Sequence, residues 1–305
     1  MPLHSQQPTT RFSDRVADYV KFRPGYPAEA IEAILANCRG GAFQTPQREA
    51  LVAADIGAGT GISARLLAKR GVRVFAIEPN EAMRSAGVVA SESLQGSGLS
   101  SPRSSDTTNG LESPPLCDVT NLIDWRVGTA EATGLDEASV DLILCAQSYH
   151  WFEPVAACRE FARILKPGGR LALMWNDADE RDPVARGYYD LVRTASRGVG
   201  PTSHQRVAKA PKVMPPFETA RMRQLRFRHE HRLDAEGLIG RAMSASYVPK
   251  TGEQAEQLVA GLQQLHAEHV GADGCVGLVY EVWVYVLGVE PPNPPDALSA
   301  DCLIT

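Results

Sequence analysis

The stretch ADIGAGTGISARLL, which runs from Ala54 to Leu67, is the clearest indication of the fold in the sequence. It begins as an apolar run, which is typical of a strand buried on both faces, and it ends in a helical pattern. Between the two lie glycines at alternate positions, Gly57, Gly59 and Gly61. A glycine-rich turn between a strand and a helix often holds a nucleotide-like ligand. Three interpretations stay open on this evidence: a dinucleotide with its phosphates, a nucleoside cofactor without phosphate, and a plain tight turn.

Strand-like and helix-like segments alternate through the middle of the chain. Strands are predicted over 51–56, 72–77, 121–127, 140–146 and 170–175, and helices at about 60–70, from about residue 80, and at about 154–165. Alternation of this kind favours a doubly wound parallel sheet with helices on both faces. Ligands of such sheets bind where the strands end.

The C-terminal third has a different order of elements. Residues 220–233 alternate as a strand does, two helices are predicted at 234–245 and 252–270, and 277–289 is rich in β-branched and aromatic residues. If 220–233 is the last parallel strand, the two helices emerge at the ligand edge and form a cap over 234–272. We therefore expect an α/β fold: a doubly wound, Rossmann-like, mostly parallel seven-stranded sheet with an antiparallel last strand and a helical cap.

Three segments fall outside this pattern. Residues 1–10 and the Pro-rich tail 290–305 are predicted to be disordered, as is an insertion rich in Ser, Pro and Gly at 91–118. The insertion joins a helix to the next strand, so we expect it at the edge of the sheet away from the ligand. The remaining residues, 11–289, are predicted to form one domain.

Composition limits the class of protein. The formal net charge of -5 gives no general attraction to nucleic acid or to anionic lipid, and the arginines of 221–232 alternate with apolar residues as in a half-buried strand. No apolar run approaches the roughly 20 residues that span a bilayer, and the N-terminus has no apolar core. The cysteines show no C-x-x-C pair. We expect a cytoplasmic protein with reduced thiols and no metal site, nucleic-acid partner, membrane contact or obligate protein partner.

Two carboxylates narrow the choice of ligand. Counted from Gly57, the dinucleotide pattern G-x-G-x-x-G/A fails at Ile62; counted from Gly59 it is satisfied. Asp55 lies just before the glycines, where it favours a cationic ligand and offers nothing to a pyrophosphate. Glu78 ends the second strand, where it can accept hydrogen bonds from a ribose diol.

Four segments, in this order and spacing, resemble the class I S-adenosylmethionine-dependent methyltransferases. ADIGAGTG is similar to their first motif, FAIEPNEAM (75–83) to their ribose-binding segment, GTAEATGLDEASVDLILCAQSYHWF (128–152) to their adenine loop and fourth strand, and ILKPGGRLALMWN (164–176) to their fifth-strand motif. Within that class, DRVADYVKFRPGYP (14–27) and QSYHWF (147–152) resemble the branch that contains trans-aconitate methyltransferase and similar small-molecule enzymes.

The resemblance implies S-adenosyl-L-methionine as the cofactor and in-line methyl transfer to a small-molecule acceptor, with a carboxylic acid as the expected class. It implies that the glycines admit the methionyl part, that Asp55 holds the loop and the amino group, and that Glu78 binds the ribose hydroxyls. The cofactor-binding residues that it implies are Asp55, Gly57, Gly59, Gly61, Glu78, Thr129, Ala130, Glu131, Gln147, Tyr19 and Arg23.

The acceptor side depends on residues at the ends of the fourth and fifth strands. The candidates are Tyr26, His150, Trp151, Trp175, Asn176 and Arg181. His150 is the candidate general base, or it lines the acceptor pocket; Arg181 and Arg23 either pair with an anionic acceptor or form surface ion pairs. Two other functions stay open: an NAD(P)-dependent oxidoreductase, and a non-catalytic cofactor-binding module on the same fold.

Overall fold

The computed structural model describes residues 16–38, 50–93, 119–197 and 222–288, together with positions 215 and 217. The predicted disordered segments 1–10 and 290–305 lie outside the described residues, as do residues 94–118 of the predicted insertion. Residues 91 and 92 of that insertion are described, and they form the end of a helix.

The elements alternate as the sequence predicts. The strands are β1 Val52–Ile56, β2 Arg73–Ile77, β3 Ile123–Arg126, β4 Val140–Ala146, β5 Leu165–Ala178, β6 Arg223–Leu233 and β7 Val276–Gly288. The helices are α1 Val16–Phe22, α2 Ala28–Cys38, α3 Ile62–Ala68, α4 Glu81–Glu92, α5 Pro154–Ile164, α6 Pro183–Ala195, α7 Ala235–Met243 and α8 Glu253–His269.

The described strands form one seven-stranded sheet in the order β3-β2-β1-β4-β5-β7-β6. Strands β1 to β5 pair in parallel, β7 pairs antiparallel with β5, and β6 pairs antiparallel with β7. Strand β6 therefore runs in the same direction as β1 to β5, so the predicted fold, with an antiparallel last strand, is confirmed. The carboxyl ends of six strands meet at one edge of the sheet, and this edge carries the candidate site.

Side-chain caps set where several helices begin. The carboxylate of Glu153 accepts from the amides of Val155 and Ala156 at the start of α5, and Asp182 accepts from Ala185 at the start of α6. The side chain of Asn80 accepts from the amide of Met83 at the start of α4. Each cap satisfies amides that have no partner within the helix.

Strand β5 is longer than the predicted 170–175. Its pairing with β4 changes from Val140 opposite Leu165 to Leu142 opposite Arg170, so the intervening KPGG residues form a bulge. Gly168 has φ 80° there, a conformation that glycine adopts without strain. These residues lie between the helix predicted at about 154–165 and the strand predicted over 170–175, and the bulge lets the backbone pair with β4 on both sides of it.

A cap of three helices lies at the ligand edge. Helices α7 and α8 follow β6, where the sequence predicts a cap, and α6, which the sequence analysis did not identify, packs against α8. The three helices share an apolar cluster with the start of β7: Tyr188, Val192, Leu238, Leu258, Leu262, Leu265 and Tyr280. Burial of these side chains stabilises the cap independently of the two clusters that cover the sheet. None of the helices in the described residues is long and apolar enough to cross a bilayer.

Candidate functional site

The glycine turn after β1 is held against β2 and β4. Gly57, Gly59 and Gly61 have φ 68°, 58° and 76°. The amide of Gly57 donates to the carbonyl of Ile77 at 2.9 Å, which ties the turn to the end of β2. A Cβ at Gly57 would lie 2.7 Å from the Cβ of Ser148, closer than real Cβ atoms approach. Both the backbone conformation and the packing therefore require glycine at this position.

Glu78 lies in direct contact with this turn. Its Oε2 accepts from the amide of Gly59 at 2.8 Å, and its Oε1 accepts from the amide of Asn80 at 2.9 Å. The side chain is 8% exposed. Burial raises the pKa of Glu78, and the two amide hydrogen bonds oppose that rise. The carboxylate thus stands beside the glycine turn and on the same edge of the sheet, where the sequence analysis places it.

Asp55 is buried beneath the turn at the start of α3. Its Oδ2 accepts from Ser63 Oγ at 2.6 Å, while its Oδ1 has no hydrogen-bond partner in the part of the chain described. Burial raises the pKa of Asp55 to about 7, against hydrogen bonds from Ser63 and Ala64 that lower it. A cation brought near this carboxyl would favour its ionised form, so the group suits an ammonium and disfavours a phosphate.

Gln147 and Asn176 connect the ends of β4 and β5. Gln147 has φ 59°, a left-handed conformation that side chains with a Cβ rarely adopt. Its Nε2 donates to the carbonyl of Asn176 at 2.9 Å, and Asn176 Nδ2 donates to the carbonyl of Gly25 at 2.9 Å. Among the described residues, Gln147 Oε1 and Asn176 Oδ1 are buried without a partner. Two acceptor oxygens are therefore available to a ligand at this edge.

The segment 19–27, here called the strap, joins the cap to this edge. Arg23 Nη2 donates to the carbonyl of Ser244 at 3.2 Å, and the guanidinium lies 4.6 Å from the centre of the Tyr19 ring. The ring of Phe22 packs directly on Gly240 of α7, where a Cβ would be only 2.2 Å away. The strap residues Tyr19 and Arg23 are thus held between the cap and the strand ends.

Tyr26 lies at the inner end of the strap. Burial raises the pKa of Tyr26 well above its ordinary value, and the charges of Tyr19 and Asp55 raise it further. Its hydroxyl is therefore neutral at physiological pH and can donate a hydrogen bond. Tyr26 packs against the apolar cluster that contains Ala58 and Ala64, which places it on the glycine-turn side of the strap.

His150 and Trp175 form an aromatic pair at the ends of β4 and β5. Trp175 Nε1 donates to His150 Nδ1 at 3.3 Å, and the ring of Trp151 lies 5.2 Å from that of His150. Because Nδ1 accepts this hydrogen bond, a neutral imidazole carries its proton on Nε2. In this arrangement His150 offers a donor to a ligand, and a general-base role would require Trp175 to release Nδ1.

Other predicted site residues have partners within the protein. Glu131 Oε1 accepts from the amide of Glu153 at 2.9 Å, while Thr129 is exposed and Ala130 is buried beside it. Arg181 pairs with Asp179 at 2.7 Å and with Glu281 at 2.5 Å, and 76% of its side chain is exposed. The structure therefore gives Arg181 the surface ion pairs that were the alternative to an anionic acceptor, and it gives Glu131 a role in joining two loops.

Two serines that the sequence analysis did not single out complete the site. Ser63 donates to Asp55, and Ser148 Oγ donates to the carbonyl of Ile56 at 2.6 Å. The sequence signal for Ser148 is its place directly after Gln147 at the end of β4. Within the described residues no group of three or more His, Cys, Asp or Glu side chains could hold a metal ion, and Cys38, Cys145, Cys158 and Cys275 are thiols that form no disulfide there.

This chain is similar to known proteins, and each similarity includes the glycine turn and the strands around it. A family model described as a methyltransferase domain matches residues 54–173. An uncharacterized methyltransferase of Mycobacterium bovis is 30% identical over 272 residues, which cover 88% of this chain and 90% of the relative. An uncharacterized methyltransferase of Schizosaccharomyces pombe is 28% identical over 259 residues, covering 83% of this chain and 86% of the relative. A solved structure of a proposed type II methyltransferase from Anaeromyxobacter dehalogenans aligns with a TM-score of 0.57 at 21% identity, over 88% of this chain and 99% of that one.

Proposed function

The chain belongs to the class I S-adenosylmethionine-dependent methyltransferases, and from that premise we propose that it methylates a small carboxylic acid held beneath the cap of α6, α7 and α8. Its cofactor is S-adenosyl-L-methionine. The observation that carries the proposal is the closure of the ligand edge: Asn176 is bonded to the strap, and the strap is bonded through Arg23 to the end of α7. A site closed in this way suits a small acceptor.

The residues at the glycine turn fit the cofactor. When bound, S-adenosyl-L-methionine supplies a methyl group on a positively charged sulfur, which is already a good leaving group. Glu78 would hold the ribose hydroxyls, and the unpartnered Oδ1 of Asp55 would attract the ammonium group, directly or through water. The turn at Gly57, Gly59 and Gly61 would admit the methionyl part against bare backbone. Further contacts are proposed for Thr129, Ala130 and Glu131 around the adenine, for Gln147, and for Tyr19 and Arg23 of the strap.

A dinucleotide is not favoured at this turn. The amide of Gly59, which would face a pyrophosphate, already donates to the carboxylate of Glu78. A phosphate there would meet two acidic groups, Glu78 and Asp55, at close range. The same two groups favour a ligand that combines hydroxyls with a positive charge.

The protein's main task toward the acceptor is positioning. Aligned geometry alone can lower a barrier by about 7–11 kcal/mol. A carboxylate acceptor is already nucleophilic, so no residue has to remove a proton from it. We place Tyr26, Trp151, Trp175 and Asn176 around the acceptor, with His150 donating from Nε2. Arg181 is not included, because its guanidinium is paired with Asp179 and Glu281.

The proposal is tested by a panel of acceptors read by mass. Purified protein is incubated with S-adenosyl-L-methionine and small carboxylic acids, phenols and amines, and each acid is matched with its own carboxamide. We expect one methyl group to be added to one or more acids and to none of the matched amides. Methylation of phenols or amines with no reaction on any acid would overturn the acceptor class. Intact cofactor binding without transfer to any acceptor would instead support a non-catalytic module.

A further inference from the structure

One arginine of the cap is buried with no counter-ion among the described residues. Arg241, in α7, is 8% exposed, and its Nε has no hydrogen-bond partner among the described residues. It takes part in none of the ion pairs found across 16–38, 50–93, 119–197 and 222–288. Several other arginines of the described chain have carboxylate partners, as Arg193 has in Glu180. A guanidinium stays charged in proteins, and an unpaired buried charge is costly, so this one calls for an anion.

The described surroundings of Arg241 do not supply that anion. Four tyrosines, Tyr188, Tyr189, Tyr247 and Tyr280, interact with it electrostatically, as does His231. Burial raises the pKa of Tyr188 and Tyr189, so at neutral pH both are uncharged hydroxyls. The hydroxyl of Tyr280 is buried with no hydrogen-bond partner within the described part of the chain. Tyr188 and Tyr189 therefore bring no negative charge to Arg241, and the hydroxyl of Tyr280 is a hydrogen-bond donor beside the positive charge.

The nearby ionisable groups also leave the positive charge uncompensated. Burial, Arg241 and His229 together lower the pKa of His231 to about 4, so it is neutral at physiological pH. The acidic residues at the start of α7 are engaged elsewhere. Asp234 accepts from the amide of Gly237, and Glu236 pairs with Lys21 at 2.5 Å.

A second arginine, Arg23, lies at the end of α7. Arg23 donates from Nη2 to the carbonyl of Ser244, and Ser244 Oγ donates to the carbonyl of Arg241 at 2.7 Å. The Nε of Arg23 is buried and, like that of Arg241, has no partner in the described chain. Both guanidinium charges act on Tyr188, whose pKa each of them lowers. Two positive charges thus share one interior between the strap and the cap.

This interior adjoins the proposed acceptor site. Tyr280 of β7 is paired with Ala178 of β5, two residues beyond Asn176. Adjacent strands are about 4.8 Å apart and each residue advances about 3.3 Å, so the Cα atoms of Tyr280 and Asn176 are separated by roughly 8 Å. Tyr280, which interacts with Arg241, is therefore within reach of a small acceptor that is bound at Asn176.

From this arrangement we infer that Arg241, with the hydroxyl of Tyr280 and the guanidinium of Arg23, binds an oxyanion of the acceptor. The inference rests on the proposed methyl transfer and adds to it a residue and a charge: the acceptor carries a carboxylate or a phosphate that Arg241 holds. If the methylated group is itself a carboxylate, the acceptor has a second anionic group at this site. Planar, paired donors make arginine well suited to either oxyanion.

The test measures anion binding separately from cofactor binding. Thermal unfolding of the full chain is followed with succinate, with inorganic phosphate, and with neutral succinamide, each with and without S-adenosylhomocysteine. The variant is Arg241→Met, which keeps the length and removes the charge. The matched control is Arg193→Met, which removes a cap arginine that pairs with Glu180 and Asp190. We expect succinate or phosphate to raise the unfolding temperature of the wild type and of the control, and succinamide to have no effect.

In Arg241→Met we expect anion affinity to fall at least about tenfold, as for a lost charge-assisted hydrogen bond, while stabilisation by S-adenosylhomocysteine is retained. Without added anion this variant should unfold at the same temperature as the wild type or higher, because replacing a residue that had only a structural role would lower the unfolding temperature.

The anion that stabilises the wild type more identifies the oxyanion. The inference is overturned if cofactor binding is intact and anions either stabilise Arg241→Met as much as the wild type or do not stabilise the wild type at all. Loss of cofactor binding in the wild type contradicts the proposed function instead. If Arg241→Met does not fold, Arg241→Gln, which also removes the charge, replaces it, and unchanged anion affinity there is equally decisive.

Discussion

Replacing Glu78 by Gln tests how the protein holds its cofactor. The substitution keeps the shape of the side chain and removes its charge. In the free protein, the carboxylate accepts from Gly59 at 2.8 Å and from Asn80 at 2.9 Å. A glutamine retains one acceptor oxygen, but its amide nitrogen would face the other backbone amide, donor against donor. We therefore expect a modest loss of folding stability, about 1 kcal/mol, with the turn still formed.

The effect on the cofactor should be larger than the effect on folding. A ribose diol that donates to a carboxylate makes charge-assisted hydrogen bonds, each of which contributes about 1.5–3 kcal/mol. Loss of the charge should weaken S-adenosylhomocysteine binding by roughly tenfold to a hundredfold. Isothermal titration calorimetry measures this directly, and Glu81→Gln, at an exposed position in the first turn of α4, is the matched control. Wild-type affinity in Glu78→Gln would refute the assignment of the ribose to this carboxylate.

Three further predictions concern the same edge of the sheet. Gly57→Ala places a Cβ 2.7 Å from Ser148 at φ 68°. The backbone conformation alone should lower the free energy of unfolding by about 1–2 kcal/mol, as measured by urea unfolding. An unchanged free energy of unfolding would mean that the turn relaxes freely. Burial raises the pKa of Asp55 to about 7, so between about pH 4 and pH 7 Asp55 is protonated in the folded state and ionised in the unfolded state. The free energy of unfolding should therefore fall as the pH rises through this range, by up to roughly 1.4 kcal/mol per pH unit. Asp55→Asn should remove that slope, and an equal slope in both proteins would contradict the prediction. His150→Gln keeps a donor and should leave S-adenosylhomocysteine affinity unchanged while lowering kcat less than His150→Ala does; equal losses would favour the general-base role.

The central part of the fold could be predicted because its signals are local. An apolar strand, a glycine turn and a helical pattern follow one another from Ala54 to Leu67, and Glu78 ends the next strand. Parallel strands bring their carboxyl ends together whatever the details of packing, so the contact between Glu78 and the turn follows from topology. Helix α6 also had a local signal, since Asp182 and Pro183 form a cap and a favoured first residue.

The remaining features depend on tertiary packing. In the sequence the KPGG residues lie between a predicted helix and a predicted strand. Only their pairing with β4 on both sides makes them a bulge within β5. The sequence left Arg181 open to an anionic ligand or to a surface ion pair. The choice depends on β7, which brings Glu281 beside it. The burial of Arg241 results from α6, α7 and β7 packing around it, and no pattern within α7 indicates this.

The most direct measurement is a crystal structure of the protein with S-adenosylhomocysteine. We expect both ribose hydroxyls within about 2.6–3.2 Å of the Glu78 carboxylate, and the amino-acid part lying along Gly57 and Gly59 above Asp55. A ribose bound at any other position, with Glu78 still bonded only to Gly59 and Asn80, would contradict this assignment.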